Sequence, residues 1–224
     1  GAKVCIKDVW IDAAAKIHRN KEPRRIFAFD VAEFGDDDCV LTLLNNNDVE
    51  LLEVWGQLPK ETSCSKVNVI VQSHGANIPV VVDCDGMGIA FAMLLESFGL
   101  NVIRFYGSQP CDKEPTKYAN KRAEMWWGGG EKFAAGEVEL SHCSEELRRQ
   151  LTSVEYDFQR GKIIIEPKED IKARIGRSPD NADSYLMGLL YEDYAVTDKQ
   201  IKGDDDDDDI PDLRSVNRNA RIAL

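Results

Sequence analysis

Two short apolar runs, residues 26–30 and 78–83, each end in an aspartate, Asp30 and Asp83. A third aspartate, Asp183, falls at the start of an apolar segment that follows Ser178, Pro179 and Asp180. Apolar runs this short, bounded by turn residues, read as strands buried on both faces. A carboxylate at the end of such a strand, and one in the first turn of an apolar helix, can converge at one end of a sheet. Unpaired carboxylates repel one another unless cations lie between them. Oxygen-only ligands select hard divalent ions such as magnesium or manganese. The chain therefore reads as a metal-dependent enzyme acting on phosphates.

The rest of the chain supplies an order for these motifs. Residues 8–19 read as a helix with Trp10, Ala14 and Ile17 on one face. Strands are expected at 26–30, 39–44 and 49–55, joined by the polar turns Asp36–Asp38 and 45–48, which makes an antiparallel meander. A helix at 60–74 precedes the run at 78–83. Gly86 and Gly88 then mark a tight turn into a helix at 89–98, and a strand at 101–106 completes a strand-helix-strand unit with parallel pairing. Further helices are expected at 113–127, ended by Gly128, Gly129 and Gly130, at 144–151, and at 182–193, with a helical turn at 168–174. Residues 154–158 and 162–166 flank Gln159, Arg160 and Gly161 as a hairpin. The sum is a mixed sheet in an α/β domain, the ribonuclease H-like arrangement flanked by helices, with the first strand central.

Size and charge set bounds. At 224 residues the chain is one large domain or one domain with appendages. It begins with Gly1, which reads as an excised or processed piece. No apolar stretch is long enough to span a membrane, and no charged-then-apolar leader opens the sequence. Of the net charge of −12, six charges lie in the aspartate run at 204–209, leaving −6 for the body. That excludes a passive DNA-coating protein with a broad basic face, but not a nuclease whose metals neutralise its site. The six cysteines are scattered, as free thiols are, and His18, His74 and His142 lack zinc-ligand spacing.

Each acidic residue also has a bland reading. Asp30 can be a solvated strand end, and Asp36, Asp37 and Asp38 a charged turn facing water. Asp180 can be a helix-start charge favoured by the dipole. The Gly86–Gly88 turn lets backbone and substrate approach, but no Walker loop follows it, so ATP hydrolysis is not encoded here. Taken together the motifs are sharper. In phosphodiester hydrolysis one metal activates water and a second, roughly 3.5–4 Å away, stabilises the leaving oxygen. Bridging two ions needs a shared carboxylate with others flanking it, and Asp30, on the central strand, is the natural bridge. Candidate phosphate contacts are Lys121 and Arg122 (with Lys117) on the helix at 113–127, Arg160 and Lys162 on the hairpin, and Lys168 near the third acidic motif.

These stretches, at residues 29–38, 82–88, 120–127, 161–170 and 178–183, occur in an order and spacing that resembles the C-terminal nuclease domain of the large terminase subunit of tailed bacteriophages. The resemblance covers roughly residues 8–195. It implies a ribonuclease H-like nuclease domain at 26–197. Residues 1–25 would be a linker segment from a missing N-terminal ATPase domain, and 198–224 an acidic, disordered tail. It implies cutting of concatemeric double-stranded viral DNA during genome packaging, with little sequence specificity and two magnesium or manganese ions. The catalytic aspartates carry over onto Asp30, Asp83 and Asp183, with Asp36, Asp180 and Asp85 as further candidate ligands. Asp83 and Asp85 flank Cys84, so the second ligand stays open between them. The implied partners are double-stranded DNA, the ATPase domain, the portal and the small terminase subunit, with no membrane. The implied location is the cytoplasm of the infected bacterial host, transiently at the procapsid portal. Two rival readings are a Holliday-junction resolvase-like nuclease, which shares the fold and the carboxylates, and a non-catalytic docking module for the portal or small subunit.

Overall fold

The computed structural model describes residues 3–32, 38–56, 58–111, 113–203 and Leu213. In chain order the elements are α1 (Asp8–Ala14), β1 (Arg24–Asp30), β2 (Cys39–Asn45), β3 (Asp48–Trp55), α2 (Lys60–His74), β4 (Val80–Asp83), α3 (Gly88–Ser97) and β5 (Val102–Phe105). There follow α4 (Lys121–Ala134), α5 (Glu145–Leu151), β6 (Tyr156–Gln159), β7 (Lys162–Ile165), α6 (Lys168–Ile175), α7 (Asp180–Leu190), β8 (Val196–Thr197) and α8 (Asp198–Lys202).

The main sheet runs β3-β2-β1-β4-β5, with β8 pairing β1. The meander β1–β2–β3 is antiparallel, and β1–β4 and β4–β5 are parallel, as the order of runs and turns predicts. Side chains alternate across a strand, and β1 shows the consequence. Ile26 and Ala28 join the core under α1, α4, α5 and α7, while Phe27 and Phe29 join the core under α2 and α3. Both faces are therefore buried, which is why the run carries no polar alternation. Full burial of a side chain such as Phe29 contributes about 2–3 kcal/mol.

The same alternation aims the aspartates. Ala28 pairs with Val81 and Phe29 with Val82, so Asp30 and Asp83 are the next positions on two parallel neighbours. By period, Asp30 shares the face of Ala28, and Asp83 that of Val81. This is the face that α7 covers. Ser184 fixes α7 there, donating to the Ala28 carbonyl at 3.0 Å and meeting the Thr42 hydroxyl at 2.9 Å.

Three expectations move. The helix expected at 8–19 ends at Ala14, where the Leu140 N–H takes the Ala14 carbonyl at 3.1 Å. The helix expected at 113–127 runs instead from Lys121 to Ala134. Pro115 lies in the segment before it, and Lys117 and Ala119 exchange backbone hydrogen bonds with Ile163 of β7. Asn120 then caps the helix through the Ala123 N–H at 2.9 Å. The glycines do not end α4, and packing requires two of them there: a Cβ on Gly129 would stand 2.7 Å from Leu186 Cδ2, and one on Gly130 2.3 Å from the Cys5 carbonyl oxygen. Residues 198–202, expected in the disordered tail, form α8 with a Thr197–Gln200 capping box, and Ile201 packs on the core. The aspartate run at 204–209 and Asp36 lie outside the described residues. All six cysteines are free, and no described helix is long and apolar enough to cross a membrane.

Candidate active site

The C-terminal ends of β1 and β4 open into a cleft of about 510 Å³, lined by Asp83, Asp85, Arg122, Lys168, Asp180 and Asp183 among others. In open α/β sheets, this end of the strands is where ligands bind. Asp30 is buried at the floor, with 2% of its surface exposed. Asp180 and Asp183 enter from the first turn of α7, 7% and 4% exposed. Gly88 completes the turn after β4: a Cβ there would lie 1.9 Å from the Asp83 carbonyl oxygen, so no larger residue fits.

Lys168, the first residue of α6, sends its ammonium into this group, 3.2 Å from Asp183 Oδ2. Its charge acts on all four carboxylates. Burial pushes the Asp30 carboxyl well above the usual range, and Lys168 only partly opposes this. Burial likewise raises Asp83, to about 6, against the pull of Lys168 and the Asp85 N–H, and it raises Asp180. Asp183 differs. Although burial works against its charge, Lys168, Arg122 and the Trp126 indole hold it below the usual range. The Lys168 ammonium, which burial disfavours, is kept charged by Asp30, Asp183, Asp83 and Asp180.

The remaining polar atoms hold these groups in place. Trp126 Nε1 donates to Asp183 Oδ1 at 2.7 Å. The Asp38 N–H meets Asp180 Oδ2 at 3.3 Å, and the Asp85 N–H meets Asp83 Oδ1 at 3.1 Å. Asp85 itself is engaged on both oxygens, by the Ser108 N–H at 2.9 Å and the Ser108 hydroxyl at 2.6 Å. That leaves Asp83 the freer of the two carboxylates flanking Cys84.

Of the residues singled out in the sequence, Asp30, Asp83, Asp85, Asp180, Asp183, Arg122 and Lys168 meet at this cleft. Lys121 starts α4 beside Arg122. Arg160 and Lys162 stand apart on the β6–β7 hairpin, whose tip is a two-residue turn with Arg160 and Gly161 at φ 51° and 79°. Trp126 escaped the sequence reading as a site residue. Its only signal was its place one helical turn after Arg122, which puts both on one side of α4.

Among the described residues, no three His, Cys, Asp or Glu side chains already stand as a closed metal-ligand set. The cleft nonetheless fits divalent ions. Its donors are all oxygen, four carboxylates share one ammonium, and Asp183 Oδ2 is buried without a hydrogen bond, its contact with Lys168 lacking hydrogen-bond geometry.

The chain matches no family model and no curated protein sequence. Among solved structures it is similar to the nuclease domain of the large terminase subunit gp2 of bacterial virus Sf6. The TM-score is 0.71 at 19% identity, over 82% of this chain and 97% of that one. A mutant of that domain solved with manganese and beta-thujaplicinol matches with TM-score 0.72 at 18% identity, over the same shares. The large terminase nuclease from thermophilic phage G20c, with bound magnesium, matches with TM-score 0.58 at 15% identity, over 85% of this chain and 98% of that one. At these identities the likeness is one of fold: a ribonuclease H-like mixed sheet flanked by helices.

Proposed function

We propose that this chain is the nuclease domain of a terminase large subunit, a divalent-metal-dependent endonuclease that cuts concatemeric double-stranded viral DNA during packaging. The observation that carries this reading is the meeting of Asp30, Asp83 and Asp183, from β1, β4 and α7, around the Lys168 ammonium at one cleft. The fold shared with the Sf6 and G20c nuclease domains supports it, as do the manganese and magnesium in those structures.

Asp30, Asp83 and Asp183, with Asp180, would hold two magnesium or manganese ions. Bound there, the ions supply activation of the attacking water and neutralisation of charge at the leaving oxygen. The protein's own part is positional. The sheet register fixes Asp30 beside Asp83, the Trp126 indole orients Asp183, and the Asp38 N–H orients Asp180. Lys168 balances the carboxylates in the metal-free protein.

The DNA backbone would lie across the cleft mouth, with Lys121, Arg122, Lys168 and the hairpin residues Arg160 and Lys162 as its cationic contacts. Phosphate contacts position DNA without reading bases, so cutting shows little sequence preference. An N-terminal ATPase domain, the portal and the small terminase subunit are the partners this role requires, in the cytoplasm of an infected host. The test is plasmid cutting with manganese by the Asp30→Asn, Asp83→Asn and Asp183→Asn variants. Each should fold like the parent and lose cutting. Cutting retained in all three would refute the reading.

A further inference from the structure

Arg122 has more donors than partners. A guanidinium carries five N–H donors in a rigid planar fork. Its Nη1 donates to the Glu166 carbonyl at 3.1 Å. Its Nε and Nη2 are buried and have no hydrogen-bond partner among the described residues. The Asp183 Oδ1 atom lies 4.0 Å from Nη2, beyond hydrogen-bond reach, and already accepts from Trp126. Leaving buried donors unmatched is costly, more so when they are charged.

The unmatched pair has a specific shape. Nε and Nη2 form the side edge of the guanidinium, which meets two oxygens of one carboxylate or phosphate side by side. The chain uses this edge elsewhere: Arg104 Nε and Nη2 grip the two oxygens of Glu96 at 2.9 and 2.6 Å. At Arg122 no acceptor among the described residues fills it. The start of α4 does not compete for an anion, because its first N–H groups are taken. Lys121 donates to Gln109, Arg122 to Gly107, and Ala123 to the Asn120 side chain, each at 2.9 Å.

We propose that Arg122 is a phosphate clamp, whose Nε and Nη2 edge takes two non-bridging oxygens of a DNA phosphodiester next to Asp183. The proposal rests on the nuclease reading. The side chain lines the cleft and is 17% exposed, with both nitrogens buried. Engagement therefore includes a side-chain movement, and Lys168, which lines the same cleft and pairs with the same Asp183, is the long, partly exposed neighbour. The Glu166 carbonyl fixes the far side of the guanidinium, and Arg174 in turn fixes the Glu166 carboxylate with contacts that include 2.7 Å. The competing role is counter-charge for Asp183, which any cation would fill. A lysine there keeps the charge but not the fork.

Two measurements on the full chain decide it. The first follows the Arg122 Nε–H resonance, assigned through its backbone neighbours, in 15N-labelled Asp30→Asn protein. Adding a short blunt duplex should shift it, and matched salt alone should not. The second is steady-state cutting by Arg122→Lys, which should show kcat lowered about a hundredfold, as for loss of a positioned oxyanion donor, with manganese affinity by calorimetry kept at the parent value. A resonance unmoved by duplex, or an Arg122→Lys protein that cuts at the parent rate, overturns the clamp. If Arg122→Lys fails to fold, the resonance decides alone. A parent protein that does not cut plasmid with manganese would sink the nuclease reading itself, whereas a cutting parent beside a fully active Arg122→Lys sinks only the clamp.

Discussion

The Trp126 indole N–H donates to Asp183 Oδ1 at 2.7 Å, joining the middle of α4 to the first turn of α7 inside the core. Trp126 is fully buried, and Asp183 is 4% exposed. An oxygen held in this way cannot turn away from the cleft. Trp126→Phe removes the donor and keeps most of the apolar bulk. It should lower stability by about 1–3 kcal/mol, the cost of an unmatched buried acceptor. Partners behind metal ligands affect affinity about 10–100-fold, so manganese binding by calorimetry should weaken within that range. Unchanged affinity would mean that the indole does not orient Asp183.

Lys168 stands where cations belong. In chelator, Lys168→Ala leaves four carboxylates, three of them buried, without their shared ammonium, and the melting temperature should fall. The cost should be about 1–3 kcal/mol, less than for a fully buried pair, because the side chain is 41% exposed. Manganese should then raise the melting temperature of Lys168→Ala more than that of the parent, since it no longer competes with a resident charge. An equal or smaller rise in the variant would remove Lys168 from this role.

Asp83 gives the cleft a pH signature. Its folded value, about 6, lies above its ordinary 3.8. A raised acid contributes stability that is full below about 4 and is lost as pH rises through about 6. In chelator, Asp83→Asn should therefore be more stable than the parent above pH 6, by up to about 3 kcal/mol. The difference should close as pH falls towards 4. Denaturant melts of both proteins across that window measure it, and a gap that widens on acidification would reverse the assigned sign.

The hairpin cations should act through charge alone. Arg160 and Lys162 lie on β6–β7, away from the carboxylates. In the Asp30→Asn background, replacing both with alanine should weaken duplex binding similarly for unrelated sequences. The dependence of log affinity on log salt should become shallower by about 2, one unit per lost phosphate contact. Fluorescence anisotropy over a salt series reads both effects, and an unchanged slope would detach the hairpin from DNA.

The sheet was legible because its strands carry their own instructions. The alternation of Ile26 and Ala28 against Phe27 and Phe29, the turns after β1 and β2, and the glycines after Asp83 specify the meander and the parallel unit without reference to the rest of the chain. Asp30, Asp83 and Asp183 were legible for the same reason, as charges at the ends of apolar runs. What lay hidden depends on contacts between distant segments. Trp126 and Asp183 are 57 residues apart, and nothing near Trp126 in sequence marks its N–H as functional. Gly128 to Gly130 looked like a helix stop because glycine lowers helix propensity. The close approaches that demand two of them, Cys5 at Gly130 and Leu186 at Gly129, come from residues far away in the sequence. Lys168 read as a DNA contact near the third motif, and only the folded chain shows its ammonium among the carboxylates, 3.2 Å from Asp183 Oδ2.

The central claim is that Asp30, at the end of the central strand, holds the metals that cut DNA. The most direct measurement is manganese-dependent nicking and linearisation of supercoiled plasmid by Asp30→Asn beside the parent, with both proteins shown to be folded by circular dichroism. The account predicts that the parent cuts and the folded variant does not at any manganese concentration. A folded Asp30→Asn protein that cuts at the parent rate would contradict it.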